Sequence, residues 1–76
     1  MLKKLNEVIV GETVIVRKVE GEGRIRRRLF DMGLTPGAQI FVRKVAPLGD
    51  PVEVTIRSYE LSLRKDEAKL ITVEGK

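Results

Sequence analysis

The sequence predicts a mainly β domain, a small and strongly bent antiparallel β-barrel of about five strands with one short helix inserted after the first strand. Three observations carry this expectation. Five short runs rich in β-branched and alternating apolar residues are separated by glycine, proline and serine. Only one stretch, Gly23 to Met32, has helical spacing long enough to lie across a core. The chain has 76 residues, which suits a single domain over 1–76. So few short strands protect their edges best by near closure. An α+β sandwich of the same elements is the competing architecture.

Met1 to Val10 places Leu2, Leu5, Val8 and Ile9 at near-helical spacing, which predicts one turn docked on the body, with Asn6 able to cap it. Gly11-Glu12 breaks the pattern. Thr13 to Val19 is the first strand, with Val14 and Val16 on one face. Glu20 to Gly23 is a loop leading into the helix, where Ile25, Leu29 and Met32 fall at i, i+4 and i+7 and are expected on the core. Arg26 and Arg27 then point away from it. Gly33 follows where a left-handed residue would end the helix. Pro36-Gly37 suits the two central positions of a type II turn.

Ala38 to Val45 is the second strand, with Ile40 and Val42 set against Gln39, Phe41 and Arg43. Ala46 to Pro51 has the turn residues of a hairpin loop, and Leu48 stands at its tip. In Val52 to Ser58, Val52, Val54 and Ile56 alternate with Glu53, Thr55 and Arg57, the pattern of a half-buried antiparallel strand. Ser58 and Tyr59 are expected to reverse the chain into Tyr59 to Arg64. Lys65 to Leu70 makes about one helical turn, and Ile71 to Glu74 is the last strand. The expected core is Val14, Val16, Leu29, Ile40, Val42, Val54, Ile56, Leu61 and Ile71.

With 42% hydrophobic and 34% charged residues the chain can fold, but without cysteine it has no disulfide. The absence of histidine and cysteine removes the usual soft and borderline metal sites, and the carboxylates are too scattered to supply the ~6 oxygens of a hard cation. No serine or threonine has a suitable base beside it. Gly21-Glu22-Gly23 lacks the remaining glycines of a dinucleotide loop, and no P-loop lysine follows a glycine run. The sequence therefore predicts no enzyme, no catalytic residue, no metal ligand and no cofactor. No apolar run reaches the ~7 to 15 residues of a signal peptide or the ~20 of a membrane span, so a soluble cytoplasmic chain is expected.

Charge is uneven along the chain. Arg17 to Arg28 holds six basic and two acidic residues, while the whole chain carries 15 basic and 11 acidic, so the excess sits in this segment. A local positive field concerns partners rather than fold. Phe30 lies about 140° around the helix from the Ile25, Leu29, Met32 stripe and is expected off the core. Arg26, Arg27, Phe30 and Leu48 are accordingly the candidate partner-binding residues, since aromatics and arginines supply much of interface energy. The bland alternatives are a solvated helix face and a satellite contact between Phe30 and Leu48. A small nucleic-acid-binding barrel is the rival function, though three aromatics are few for stacking bases.

The segments RRRLFDMGLTPG, APLGDPVEVTIR and YELSLRKDEAKLITVE, in this order, resemble the FeoA family of ferrous iron transport proteins. The match runs from Leu5 to Glu74. Its signature joins Arg28-Leu29, Met32-Gly33-Leu34 and Pro36-Gly37 to Pro47-Leu48-Gly49-Asp50-Pro51. Gly33, Pro36 and Gly37 are its structural positions. Ser58 departs from the pattern, because members often have glycine there, which leaves the type of that turn open. The resemblance implies a Src homology 3-like barrel and an accessory or regulatory role in transition-metal uptake. The implied partner is FeoB, the membrane iron transporter with a cytoplasmic GTPase domain, and membrane association would come only through it. An arginine of α-helical Arg26 to Arg28 reaching a GTPase phosphate is a further possibility, and a homo-oligomer is compatible with the same resemblance.

Overall fold

The structure, a computed structural model, describes residues 2–76. Six strands and two helices follow in the order β1 (Leu2–Lys4), β2 (Thr13–Val19), α1 (Gly23–Asp31), β3 (Gln39–Val45), β4 (Val52–Ile56), β5 (Tyr59–Leu63), α2 (Lys65–Ala68) and β6 (Ile71–Gly75). They form one antiparallel sheet in the order β1-β6-β2-β3-β4-β5. Register shifts in β2, between Val16 and Lys18, and in β3, between Val42 and Lys44, bend this sheet. Such bulges raise local twist, which curls the sheet into a small barrel.

Inward side chains fill the barrel by simple alternation. Val14 and Val16 of β2, Ile40 and Val42 of β3, Val54 and Ile56 of β4 and Ile71 of β6 are all buried, as the pattern predicts. Leu61 is the exception, being only half-buried. It lies on β5, an edge strand with cover on one side, and the fully buried residue of that strand is Leu63. Leu5, Val8, Val19, Leu29, Leu34, Ala38, Val52, Ala68 and Val73 complete the interior.

The turn expected over Met1 to Val10 is shorter than the spacing suggested, and Met1 lies outside the described residues. Leu2–Lys4 pairs with β6 as a sixth strand, which was not expected, and the docked turn is a 3-10 turn over Leu5–Glu7. The open edge of β6 offers backbone hydrogen bonds to these three residues, which are too few for alternation to betray a strand. Leu5 and Val8 are buried, whereas Leu2 and Ile9 are exposed. Asn6 does not cap the turn. Lys4 occupies that position, its N–H donating to Glu7 Oε1 at 2.8 Å, and Asn6 Oδ1 is buried without a partner. Glu12 then ties the following loop down by accepting from Ile9 N–H at 2.9 Å and from Lys3 Nζ at 3.1 Å. These contacts, the Ile9 amide first, hold its carboxyl below the usual glutamate range.

The exit of α1 is built as the sequence predicts. Gly33 has φ +97°, its N–H donates to Phe30 C=O at 2.9 Å, and Leu34 N–H donates to Leu29 C=O at 3.1 Å. This pair of bonds is the Schellman closure, and its usual apolar contact falls on Leu29 and Leu34, both fully buried. The Tyr59 hydroxyl donates to the Met32 carbonyl and satisfies one more orphan at the helix end. Thr35 to Ala38 then makes the expected turn, with Ala38 N–H on Thr35 C=O at 2.9 Å and Gly37 at φ +93°. The predicted stripe of α1 is narrower than expected, because Ile25 is exposed and Met32 half-buried. Leu29 alone is fully inserted.

The reversal between β4 and β5 falls one residue earlier than predicted. Ile56 pairs directly with Tyr59, leaving Arg57 and Ser58 as a two-residue loop with φ +48° and +76°. Both positive values define a type I′ turn, the form that matches strand twist. Neither residue is glycine, so the turn is strained.

Two outcomes follow from these turns. Gly33→Val should cost about 2–3 kcal/mol, because a β-branched residue resists positive φ and a Cβ there would lie 2.7 Å from the Tyr59 hydroxyl. Gly75→Val, at an exposed strand end with nothing within 4 Å of the new Cβ, should stay within about 0.5 kcal/mol of the parent. Equal urea midpoints for the two variants would refute the helix-exit account. Ser58→Gly should raise stability by up to about 1 kcal/mol through relief of the left-handed strain, offset in part by unfolded-state entropy. A lower midpoint for this variant would show that the turn is not strained.

Candidate functional site

Helix α1 projects its polar residues along one side of the barrel, and two of the expected binding residues meet there. Arg26 is not directed simply away from the core. Its Nε–H donates to the Val19 carbonyl at the end of β2, at 3.1 Å, and its Cζ lies 4.5 Å from the centre of the Phe30 ring. Phe30 is half-buried and packs against the core edge, which the wheel angle alone did not predict. In a nine-residue helix seated through Leu29, the flank of the helix also reaches apolar neighbours. The guanidinium covers the exposed face of the ring, an arrangement stabilised by cation–π attraction.

Arg24 and Arg27 are exposed on the same helix. Among the described residues, neither they nor Arg26 has a carboxylate within 4.0 Å. The rest of the basic segment is neutralised locally. Arg17 pairs with Glu74 at 2.7 Å, Lys18 with Glu20 at 3.7 Å and Arg28 with Glu67 at 3.1 Å. The field predicted for Arg17 to Arg28 is thereby concentrated on three α1 arginines.

Leu48 is 89% exposed at the tip of the loop between β3 and β4, so it packs on nothing, Phe30 included. That loop is fastened at its other end, where Asp50 Oδ1 accepts from Lys65 N–H at 3.0 Å. Gly33, Pro36 and Gly37 shape the helix exit and the turn after it. Ile25, expected in the core, instead lines a groove of about 420 Å³ between α1 and α2, together with Leu70, Arg28, Arg64, Asp66 and Glu67. The Arg28–Glu67 pair bridges this groove.

Among the described residues no three side chains of metal-ligating type come together. Nor does any helix have the length and apolarity to cross a membrane. The surface offers cationic donors, an aromatic ring covered by an arginine and one bare aliphatic side chain.

The sequence profile of the FeoA domain matches residues 3–75. The chain belongs to the FeoA family. A relative from Porphyromonas gingivalis, the Fe(2+) transport protein A/Fe(2+) transporter FeoB fusion protein, is 41% identical over 71 residues, which is 93% of this chain. The chain spans 8% of that protein's length. Among solved structures, the FeoA-like protein from Clostridium acetobutylicum is 44% identical with a TM-score of 0.86, covering 95% of this chain and 84% of that one. FeoA from Stenotrophomonas maltophilia, solved with zinc and described as a prokaryotic SH3 domain protein, is 26% identical with a TM-score of 0.82, over 95% of this chain and 89% of the other. The chain thus has a Src homology 3-like barrel and belongs to a family associated with ferrous iron transport.

Tyr59 is the residue that sequence reasoning overlooked. Its ring crosses from the β4–β5 hairpin to the end of α1, a contact between distant elements, and the only local hint was an aromatic placed at a tight reversal. Because the fold is closed by apolar packing and hydrogen bonds, its thermal unfolding should be the same with and without a chelator. A fall in melting temperature of more than a few degrees on chelation would reveal a structural metal.

Proposed function

We propose that this chain is a non-catalytic accessory protein of ferrous iron uptake that docks on the cytoplasmic part of a FeoB-type transporter. One observation carries the reading: a relative 41% identical over nearly this whole chain is joined to FeoB in a single polypeptide. Covalent fusion makes the second binding event intramolecular, which is useful only where the two parts work together. The surface of α1 supports contact with a protein. Among the described residues Arg24, Arg26 and Arg27 have no carboxylate within 4.0 Å, Phe30 presents an arginine-capped ring, and Leu48 stands bare on a tethered loop.

The disposition of the aromatics favours this over nucleic-acid binding. Phe30 is covered by Arg26 and Tyr59 is committed to the helix end, leaving Phe41 as the aromatic on the outer sheet face. Base stacking needs open aromatic platforms.

Leu48→Ala should weaken binding to the purified transporter severalfold while changing stability by less than about 0.5 kcal/mol, as expected of an exposed anchor. Phe30→Ala should lower both, since the ring also packs on the core. The paired charge reversal Arg26→Glu, Arg27→Glu should weaken binding by more than about tenfold and flatten its salt dependence. Titration of the transporter by calorimetry, beside denaturant unfolding, separates these effects. Normal binding by Leu48→Ala and by the charge-reversed variant together would exclude this surface.

A further inference from the structure

Resting on the docking role above, we infer that Arg26 is a preassembled two-pronged receptor for one carboxylate of the partner protein. Free surface arginines are flexible, and ordering one on binding costs side-chain entropy. Arg26 has already met that cost. Its Nε–H is bound to the Val19 carbonyl at 3.1 Å, and its Cζ lies over the Phe30 ring, 4.5 Å from the centroid. With Nε occupied, the remaining donors are those of Nη1 and Nη2, which no carboxylate within the described residues engages. Arg26 is exposed, and the two parallel N–H groups at the end of a guanidinium match the two coplanar oxygens of a carboxylate end-on.

A single such fork pairs with one carboxylate, and the partner proposed above is a protein, whose surface anions are carboxylates. The occupant is therefore an aspartate or glutamate side chain on the partner. Arg24 and Arg27 contribute long-range attraction, and Arg26 contributes geometry. The distinction matters because lysine preserves the charge of Arg26 but neither the fork nor the stacking.

The test uses the full chain and the FeoB-type transporter of the same genome, reconstituted in nanodiscs, with dissociation constants measured for the parent, Arg26→Lys, Arg26→Ala and Phe30→Leu. Arg26→Lys should lose about tenfold in affinity, nearly as much as Arg26→Ala, and Phe30→Leu should lose severalfold while remaining folded. Arg57→Lys, on the β4–β5 turn, controls for generic loss of guanidinium. In the free chain, nitrogen-15 spectra should show a slowly exchanging Arg26 Nε–H that becomes fast in Phe30→Leu. Parent-like affinity in Arg26→Lys would mean that charge alone acts, and a fast-exchanging Nε–H in the parent would mean that the fork is not preassembled. Either result overturns the inference. If the parent binds and Arg26→Ala binds equally well, the fork is wrong but docking stands; if the parent does not bind, docking itself is wrong and the fork falls with it.

Discussion

At Gly33 the chain must leave a nine-residue helix with φ +97°, and much of the domain is arranged around that one departure. Glycine alone accepts it without strain. The two closing hydrogen bonds hold Leu34 over Leu29, which places both side chains in the barrel interior. The Tyr59 hydroxyl then binds the Met32 carbonyl from another element. The helix is thus fixed at its end by its own backbone, by an apolar pair and by a hairpin that is remote in sequence. With its axis and rotation fixed, Arg26 meets both Val19 and Phe30, and the outer residues of α1 have a defined aspect.

Electrostatics act on a different scale from this packing. Exposed ion pairs contribute at most about 1 kcal/mol each and often less. Those of this domain, such as Arg17–Glu74 and Arg43–Glu53, join exposed or half-exposed groups. Their larger effect is to shape the field, because Arg17, Lys18 and Arg28 are paired with carboxylates, whereas Arg24, Arg26 and Arg27 of α1 have none within 4.0 Å among the described residues. Packing sets where the helix stands, and pairing within the Arg17 to Arg28 segment leaves its excess charge on that helix.

How much of this was legible depended on the range of the interactions involved. The strand over Thr13–Val19, the glycine exit and the Pro36-Gly37 turn are local matters of alternation and φ preference, and each was read where it stands. β1 escaped because it exists only through β6, a partner nearly seventy residues away. Ile25 was placed in the core because a helical wheel records direction but not how far the barrel extends beneath the first turn. Arg26 and Phe30 were correctly grouped as neighbours on the helix, but the Val19 carbonyl that immobilises the guanidinium comes from β2. Tyr59 escaped for the same reason.

The pairing of β1 with β6 sets Leu2 opposite Glu74, so the two ends of the folded unit emerge side by side. The greatest dimension of the domain is 29 Å, a distance that about nine extended residues can cross. A short tether at either end could therefore bring any face of the barrel against the protein to which it is attached, with the sheet order undisturbed. Joining such a unit to a larger polypeptide requires no new fold at the junction, and the local concentration of the domain then follows from the length of the linker rather than from the level of expression.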